Sequence, residues 1–411
     1  MLKESKIKWI INKNKQINIK EAPIFLSEKE IQAVKQFFTG IASYKPTPLL
    51  HLDNLSKQWG LRGIYIKDES HRFELNAFKA LGSLYAMASV ICDRIGTKPS
   101  ETTFEALVSD DMKEKIGSLL FVSATDGNHG RGVAWAARKL GHKAMIFMPK
   151  GSSLYRLKMI QDEGAQASIT DLNYDDAVRY AYKYAQENGG VLIQDTAWEG
   201  YEEIPARIMQ GYAVIMDEVI DVFQKSEKLF PTHIFLQAGV GSFAGAIQGY
   251  LVERFGVNCP ITVVLEPKNV NCHYRTAQAN DGKIHSVKGD FHTIMAGLSC
   301  GEPNPVAWGI LQQHASAFVS CADSVSATGM RILASPLRGD HAVISGESGA
   351  LGMGFLAKLM HASTKEEKSL AKELRLTKDS RILLISTEGD TDPEQYQRIV
   401  WEGAYSSVLS D

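Results

Sequence analysis

A chain of 411 residues with 44% hydrophobic and 22% charged side chains can bury two or three lobes of ordinary domain size, and those proportions exclude a disordered or fibrous class. Its 45 basic and 47 acidic residues nearly cancel to a net charge of -2, which leaves no positive field to neutralise a phosphate backbone, so no nucleic-acid partner is expected. The start, MLKESKIKWIINKNKQINIK, interleaves lysine with isoleucine instead of building an apolar leader, and no later run approaches bilayer length, so no membrane association is expected and the cytoplasm is the expected compartment.

In chain order, the first segment with chemistry in it is KDESHRFELNAFKALG (67–82), which places Lys79 just inside an amphipathic stretch after a charged loop. A lysine so placed is, taken alone, ordinarily a solvated one on a helix face. The polar run 93–117 reads as a surface helix-and-loop excursion between lobes. From there the pattern alternates: LLFVSAT (119–125) predicts a buried strand, HGRGVAWAARKLG a helix, KAMIFMP a strand and SSLYRLKMIQDEG a helix. VLIQDT (191–196) predicts a further strand, 202–223 a helix, THIFLQAG a strand, SFAGAIQGYLVERFG a helix and ITVVLEP a strand, and RILLISTEG (381–389) adds one more buried strand. Such alternation predicts an α/β fold of open, mostly parallel sheets covered by helices, with ligands bound outside the carboxyl ends of the strands.

Three loops at those strand ends carry polar or glycine-rich sequence. SATDGNHGRG (123–132) runs into Asp126, Gly127, Asn128 and His129; glycine lets the backbone approach a ligand, and Asp and Asn supply fixed polar contacts, although a bare strand-to-helix turn looks the same. QAGVGSFAGA (237–246) presents the N–H groups of Gly239, Val240, Gly241, Ser242 and Phe243 at a helix N-terminus, a cradle for phosphate. Its spacing is neither GxGxxG nor GxxxxGK[ST], so it predicts a phosphate and no particular nucleotide; glycines used only for tight packing are the alternative. STEGDTD (386–392) offers the Thr387 hydroxyl, whereas Glu388, Asp390 and Asp392 read as a solvated loop. Asp195 in QDTAWEGYEE, and Glu347 with Ser345 in SGESGA, either line a site or start helices. The five cysteines are irregularly spaced and read as free thiols, and with no CxxC or HExxH pattern no built-in metal site is expected.

A lysine in NAFK, a GNH loop after a strand, a glycine-rich phosphate loop and a late STEG tip, in that order along nearly the whole chain, resemble the tryptophan-synthase-β (fold type II) group of pyridoxal-phosphate enzymes. Within that group, LNAFK, SATDGNHGRGVAW, QDTAWEGYEEIP, MAGLSCGEPN and ISTEGDTDPE resemble the branch that eliminates ammonia from 2,3-diaminopropionate; relatives acting on serine or threonine usually have a small residue where this chain has Asp126. The resemblance implies two lobes, each an open, twisted, mostly parallel sheet covered by helices, with pyridoxal 5'-phosphate in the cleft between them. Residues 1–98 and 196–411 would form the large cofactor-binding domain and 99–195 a small domain inserted in it. Lys79, as carrier of the cofactor, and Asp126 would be the catalytic residues. Phe78, Asn128 (toward the ring hydroxyl), Gly239, Val240, Gly241, Ser242, Phe243 and Thr387 (toward the pyridine nitrogen) would hold the cofactor, and Asp195, Ser123 and Thr125 the substrate. A small amino acid is the implied substrate and a homodimer the implied assembly. His71 stands where the pattern has another basic residue and lies outside these roles.

The implied chemistry makes physical sense of those residue types. The cofactor is an electron sink for charge on the substrate Cα, and a lysine deprived of its proton by burial and a neighbouring cation or dipole can act as a base there. A neutral hydroxyl at Thr387 does not force a proton onto the ring nitrogen as a carboxylate would. Two carboxylates suit a substrate whose β-substituent is a charged amine. With Lys79 and Asp126 on opposite faces of Cα, each would serve one enantiomer. A serine or threonine dehydratase or a β-replacing synthase is the alternative on the same scaffold. A nucleotide-dependent oxidoreductase lacks its GxGxxG fingerprint here, and an inactive binding protein would not need Lys79.

Overall fold

The computed structural model of the chain describes residues 6–16, 22–289 and 291–406. Residues 1–5 and 17–20 of the stretch read against a leader, and 407–411 at the end of the expected large domain, lie outside the described residues. The strands are β1 (Ile7–Ile11), β2 (Leu49–His51), β3 (Gly63–Asp68), β4 (Leu120–Ala124), β5 (Lys143–Met148), β6 (Gln166–Ile169), β7 (Val191–Leu192), β8 (His233–Gln237), β9 (Ile261–Pro267), β10 (Ala317–Cys321) and β11 (Arg381–Ser386). They form a seven-stranded sheet in the order β1-β10-β9-β8-β11-β3-β2 and a four-stranded sheet in the order β6-β5-β4-β7. The smaller sheet is parallel throughout; in the larger one only the edge strands β1 and β2 run antiparallel.

The expected α/β class is therefore the observed one, and burial explains it. Strands β3, β8 and β10 (GIYIKD, HIFLQ, AFVSC) are buried at every position, which requires helices on both faces of the sheet and accounts for their lack of polar alternation. The last strand, β11, lies between β8 and β3 with Leu383 opposite Ile234 and Tyr65. That insertion brings the tip at 386–389 beside the glycine loop at 239–243, although about 145 residues separate them in the chain.

Several expectations change. VLIQDT pairs with the sheet over β7 and through Ile193 N, which donates to Val122 O at 2.8 Å; the Ile193 carbonyl accepts from Ser123 and His129 instead. The helix Ala80–Ile95 is not amphipathic: residues Ala80 to Ser89 are all buried, because it lies between the helices Asn128–Leu140 and Glu203–Lys225. β6 and the helix Tyr174–Glu187 were not expected, since QASI is a half-exposed edge strand and the helix is strongly polar on one side. One hydrophobic cluster joins both sheets, running from Phe121, Val133 and Ile146 to Leu81, Tyr212, Ile247 and Leu383. All five cysteines are free thiols.

The loop from β3 to Lys79 is held by a buried ionic cluster. Arg72 Nε and Nη2 donate to Glu69 at 2.9 Å each, its Nη1 and Nη2 donate to Glu218 at 2.8 and 2.9 Å, and Lys67 Nζ reaches Glu218 at 2.5 Å. These bonds sustain left-handed backbone at Phe73, Glu74 and Asn76 (φ +51°, +61° and +59°), a conformation that non-glycine residues keep only where the surroundings over-determine it.

Candidate active site

A cavity opens where β8 and β11 end. Phe78, Lys79, Asp126, Asn128, Asp195, the five residues Gly239 to Phe243 and Thr387 all line it. Ser123 and Thr125 do not. Ser123 Oγ donates to Ile193 O at 2.7 Å, and Thr125 Oγ1 accepts from Gly127 N and Gly130 N at 2.9 Å each, so both hydroxyls brace the loop that presents Asp126.

Lys79 is the residue immediately before the helix Ala80–Ile95. Its Nζ donates to Asp195 Oδ2 at 2.5 Å and lies 5.3 and 5.6 Å from the ring centres of Phe78 and Tyr212. Burial alone would lower the amine, but the Asp195 carboxylate and Tyr212 outweigh it and hold it well above the ordinary lysine range. The expectation of a proton-depleted amine is thereby reversed: the neighbour is an anion, not a cation. Asp195 itself is pushed down to about 2, since Lys79 and His129 more than offset its burial. It caps no helix; the next one starts at Glu203 with Glu202 as its cap.

Asp126 behaves oppositely. Burial pushes it up to about 6 in spite of the Arg156 and Lys79 cations, and its Oδ2 has no hydrogen-bond partner among the described residues. Two carboxylates of one cavity thus have their protonation pulled in opposite directions, an arrangement characteristic of acid–base sites.

At the far side, Gly241 adopts φ +97° as the residue before the helix Ser242–Phe255, and a Cβ there would collide with the His273 ring. Among the described residues the backbone N–H groups of 239–243 have no acceptor, and they converge at a positive helix end. Ser242 Oγ donates to Asp195 O and accepts from Asn304 Nδ2 at 2.7 Å. Thr387 Oγ1 accepts from Gln237 Nε2 at 2.8 Å, which leaves its own hydroxyl proton to give. Phe78 packs at a tilt against Tyr212 and Phe243, with ring centres 4.7 and 4.8 Å away. An unsatisfied anion cradle, an amine, an apolar wall and a hydroxyl donor in one cavity fit a phosphate-bearing aromatic aldehyde.

Sequence reasoning missed part of this lining. Glu388, expected in a solvated loop, is buried and accepts from Asn128 Nδ2 and from Ser348 N at 2.9 Å. Glu347, which the sequence left between lining a site and starting a helix, is buried beside Arg156, outside the lining of this cavity, and starts no helix; the next one begins at Leu351. His129 approaches Asp195 at 3.9 Å, and Gln237, Tyr174, Cys300 and Ser348 complete the wall. His129, Gln237, Cys300 and Ser348 stood inside quoted segments without being assigned a role, and Tyr174 carried no local signal.

A family model described as pyridoxal-phosphate dependent enzyme matches residues 42–372. The chain is 51% identical over 371 residues, covering 90% of it and 91% of the relative, to a Salmonella typhimurium protein named diaminopropionate ammonia-lyase. It is 46% identical over 401 residues, 97% of it and 98% of the relative, to the protein of that name from Escherichia coli K12. The crystal structure of the Escherichia coli diaminopropionate ammonia-lyase in complex with D-serine matches with a TM-score of 0.89 at 44% identity, over 97% of this chain and 98% of that one. The chain belongs to the pyridoxal-phosphate dependent enzymes and, among them, to the diaminopropionate ammonia-lyase family.

Proposed function

We propose that the chain eliminates ammonia from 2,3-diaminopropionate, in both D and L forms, by pyridoxal-phosphate-dependent α,β-elimination, after which one water hydrolyses the released enamine to pyruvate and a second ammonia. The observation that carries this reading is the meeting in one cavity of an amine, a carboxylate pushed down to about 2 and a carboxylate pushed up to about 6. Pyridoxal phosphate, when bound, supplies an electron sink for the charge left on Cα.

This chain's residues do the rest. Lys79 carries the cofactor, the N–H groups from Gly239 to Phe243 hold its phosphate, Asn128 its ring hydroxyl, Phe78 its ring face, and Thr387 gives the ring nitrogen a neutral partner. Asp195, 2.5 Å from Lys79 Nζ, orients that amine and receives the positive charge of the substrate. Asp126, ionised above about pH 6, is matched to base work near neutrality and takes the Cα proton of the D form, while Lys79, whose ammonium must first lose its proton for the cofactor to attach, would take that of the L form from the opposite face as the neutral amine. Both carboxylates attract a charged β-amine, which favours a diamino acid over serine. Ser123 and Thr125 serve the substrate through the loop they brace.

The same reading places residues 99–195 as the smaller lobe, supported by the confinement of the four-stranded sheet to 120–192, against a larger lobe of 1–98 and 196–411. A homodimer is what the resemblance implies, and a cytoplasmic location is the reading that goes with a sequence lacking any bilayer-length apolar run; among the described residues no helix is long and apolar enough to cross a membrane.

Borohydride reduction of the yellow protein followed by peptide mass spectrometry tests the attachment, with the pyridoxyl mass expected on Lys79. Release of the 2-oxo acid, pyruvate from diaminopropionate and serine and 2-oxobutyrate from threonine, is expected to be faster from diaminopropionate by about tenfold or more in kcat/KM; parity would favour the sister dehydratase.

A further inference from the structure

Arg156, on the helix Leu154–Asp162, is a buried cation beside the cavity that the roles above do not use. Its guanidinium lies 3.7 Å from Asp126 Oδ2 through Nη1, and through Nη2 it lies 3.8 Å from Glu347 Oε2 and 3.4 Å from Thr391 Oγ1. Asp126 follows β4 of the smaller sheet, whereas Glu347 and Thr391 sit on loops beside β11 of the larger one, so one side chain spans both walls of the cleft. The loop is shaped to admit it: Gly127 has φ +155°, and a Cβ there would meet Arg156 Cδ at 2.8 Å. Asp126 Oδ2, Arg156 Nε and Glu347 Oε1 are buried and without hydrogen-bond partners among the described residues.

The groups facing Asp126 are few. Arg156 and Lys79 are the cations, Glu388 from the turn after β11 is an anion, and Tyr174 and Cys300 are neutral neighbours. Lys79 is engaged by Asp195 and by its cofactor role, which leaves Arg156 to stand opposite Asp126. Burial pushes Glu347 up in spite of the guanidinium, and Glu347, Glu388 and Asp392 share the Arg156 charge with Asp126.

We propose that Arg156 is a positioning residue for the base at Asp126, holding that carboxylate ionised and turned toward the reacting carbon and thereby setting the pH at which the D substrate is used. The proposal rests on Asp126 being the base for that enantiomer. An opposite charge within about 4–6 Å lowers a carboxylate by roughly one to three units, so removing the guanidinium leaves burial unopposed and raises Asp126 further.

The test is the pH profile of kcat/KM for D- and L-2,3-diaminopropionate in Arg156→Gln and Arg156→Lys. The acid limb for the D substrate is expected to move up by about one unit or more in Arg156→Gln, and part of the way in Arg156→Lys, whose shorter point charge does not span both walls, while the L limb stays in place. Limbs that move together, or a D limb that stays put, would overturn the proposal. Asp126→Asn is the control: selective loss of D turnover with an unmoved D limb in the arginine variants sinks Arg156 alone, and equal loss of both enantiomers sinks the role of Asp126. If Arg156→Gln does not fold, Arg156→Lys decides by the same criterion. A reading without turnover is the melting-temperature difference between the parent and Asp126→Asn. A carboxyl whose folded pKa is raised contributes stability at low pH that fades as pH rises through that pKa, and in the Arg156→Lys background the fading is expected to end at higher pH.

Discussion

Replacing Asp195 by Asn removes the counter-charge of Lys79 and tests the centre of the site. The carboxylate is held at about 2 against the ordinary 3.8, a difference worth about 2 kcal/mol of stability at neutral pH. Because the folded-state value is depressed, that contribution is complete above about pH 4 and is lost as pH falls through the folded value near 2. In the variant, burial still opposes the Lys79 ammonium while the 2.5 Å partner is gone, so the amine sheds its proton at lower pH than in the parent. Two assays read this. Denaturant titration is expected to show the variant less stable at pH 7, with the gap closing toward pH 2. Cofactor attachment to the apoprotein, followed by absorbance against pH, is expected to start at least about one unit lower in the variant. An attachment profile that coincides with the parent's would refute the ion pair as the control on the amine.

Asp126→Asn is expected to lower kcat/KM for the D substrate by about two to four powers of ten and that for the L substrate far less, measured by pyruvate release. Gly241→Ala forces a side chain onto left-handed backbone (φ +97°) and into His273, and is expected to weaken cofactor binding about tenfold or more by titration of the apoprotein. Glu218→Gln leaves Lys67 and Arg72 sharing Glu69 alone in a buried cluster, and a loss of about 3–5 kcal/mol is expected in denaturant unfolding. Lys67 and Arg72 hold the Glu218 carboxyl well below its ordinary 4.5 despite its burial, so the cost is expected in full above that pH and to shrink under acid conditions.

Much of the site was legible because its residues sit in short, local arrangements. A strand followed at once by glycine and a helix start is a property of neighbouring residues, so 123–132, 237–246 and 386–392 could be placed at strand ends without knowing where the strands lie. Lys79, Asp126, Asn128, the glycine loop and Thr387 line one cavity, as the family resemblance implied. Direction was less legible: Ser123 and Thr125 share a motif with Asp126, yet their hydroxyls face Ile193 and the loop's own N–H groups. The one unforeseen carboxylate, Glu388, had a different cause. An acidic residue in a polar loop is ordinarily solvated, and Glu388 is buried only because Asn128 and Ser348 reach it from distant segments.

By itself the amino-acid order determined the alternation of buried strands and helices, the loops at their ends and the residue types offered there, since hydrophobic period and glycine placement act over a few residues. Only the tertiary structure decided which ends meet. The insertion of β11 between β8 and β3 sets Thr387 beside Gln237 and Glu388 beside Asn128, and the packing of the two sheets sets Asp195 on Lys79 and Arg156 between Asp126 and Glu347. Those pairings fix the charges of the site, because a carboxylate's proton affinity depends on burial and on the nearest opposite charge, and both depend on which distant segments the fold places beside it.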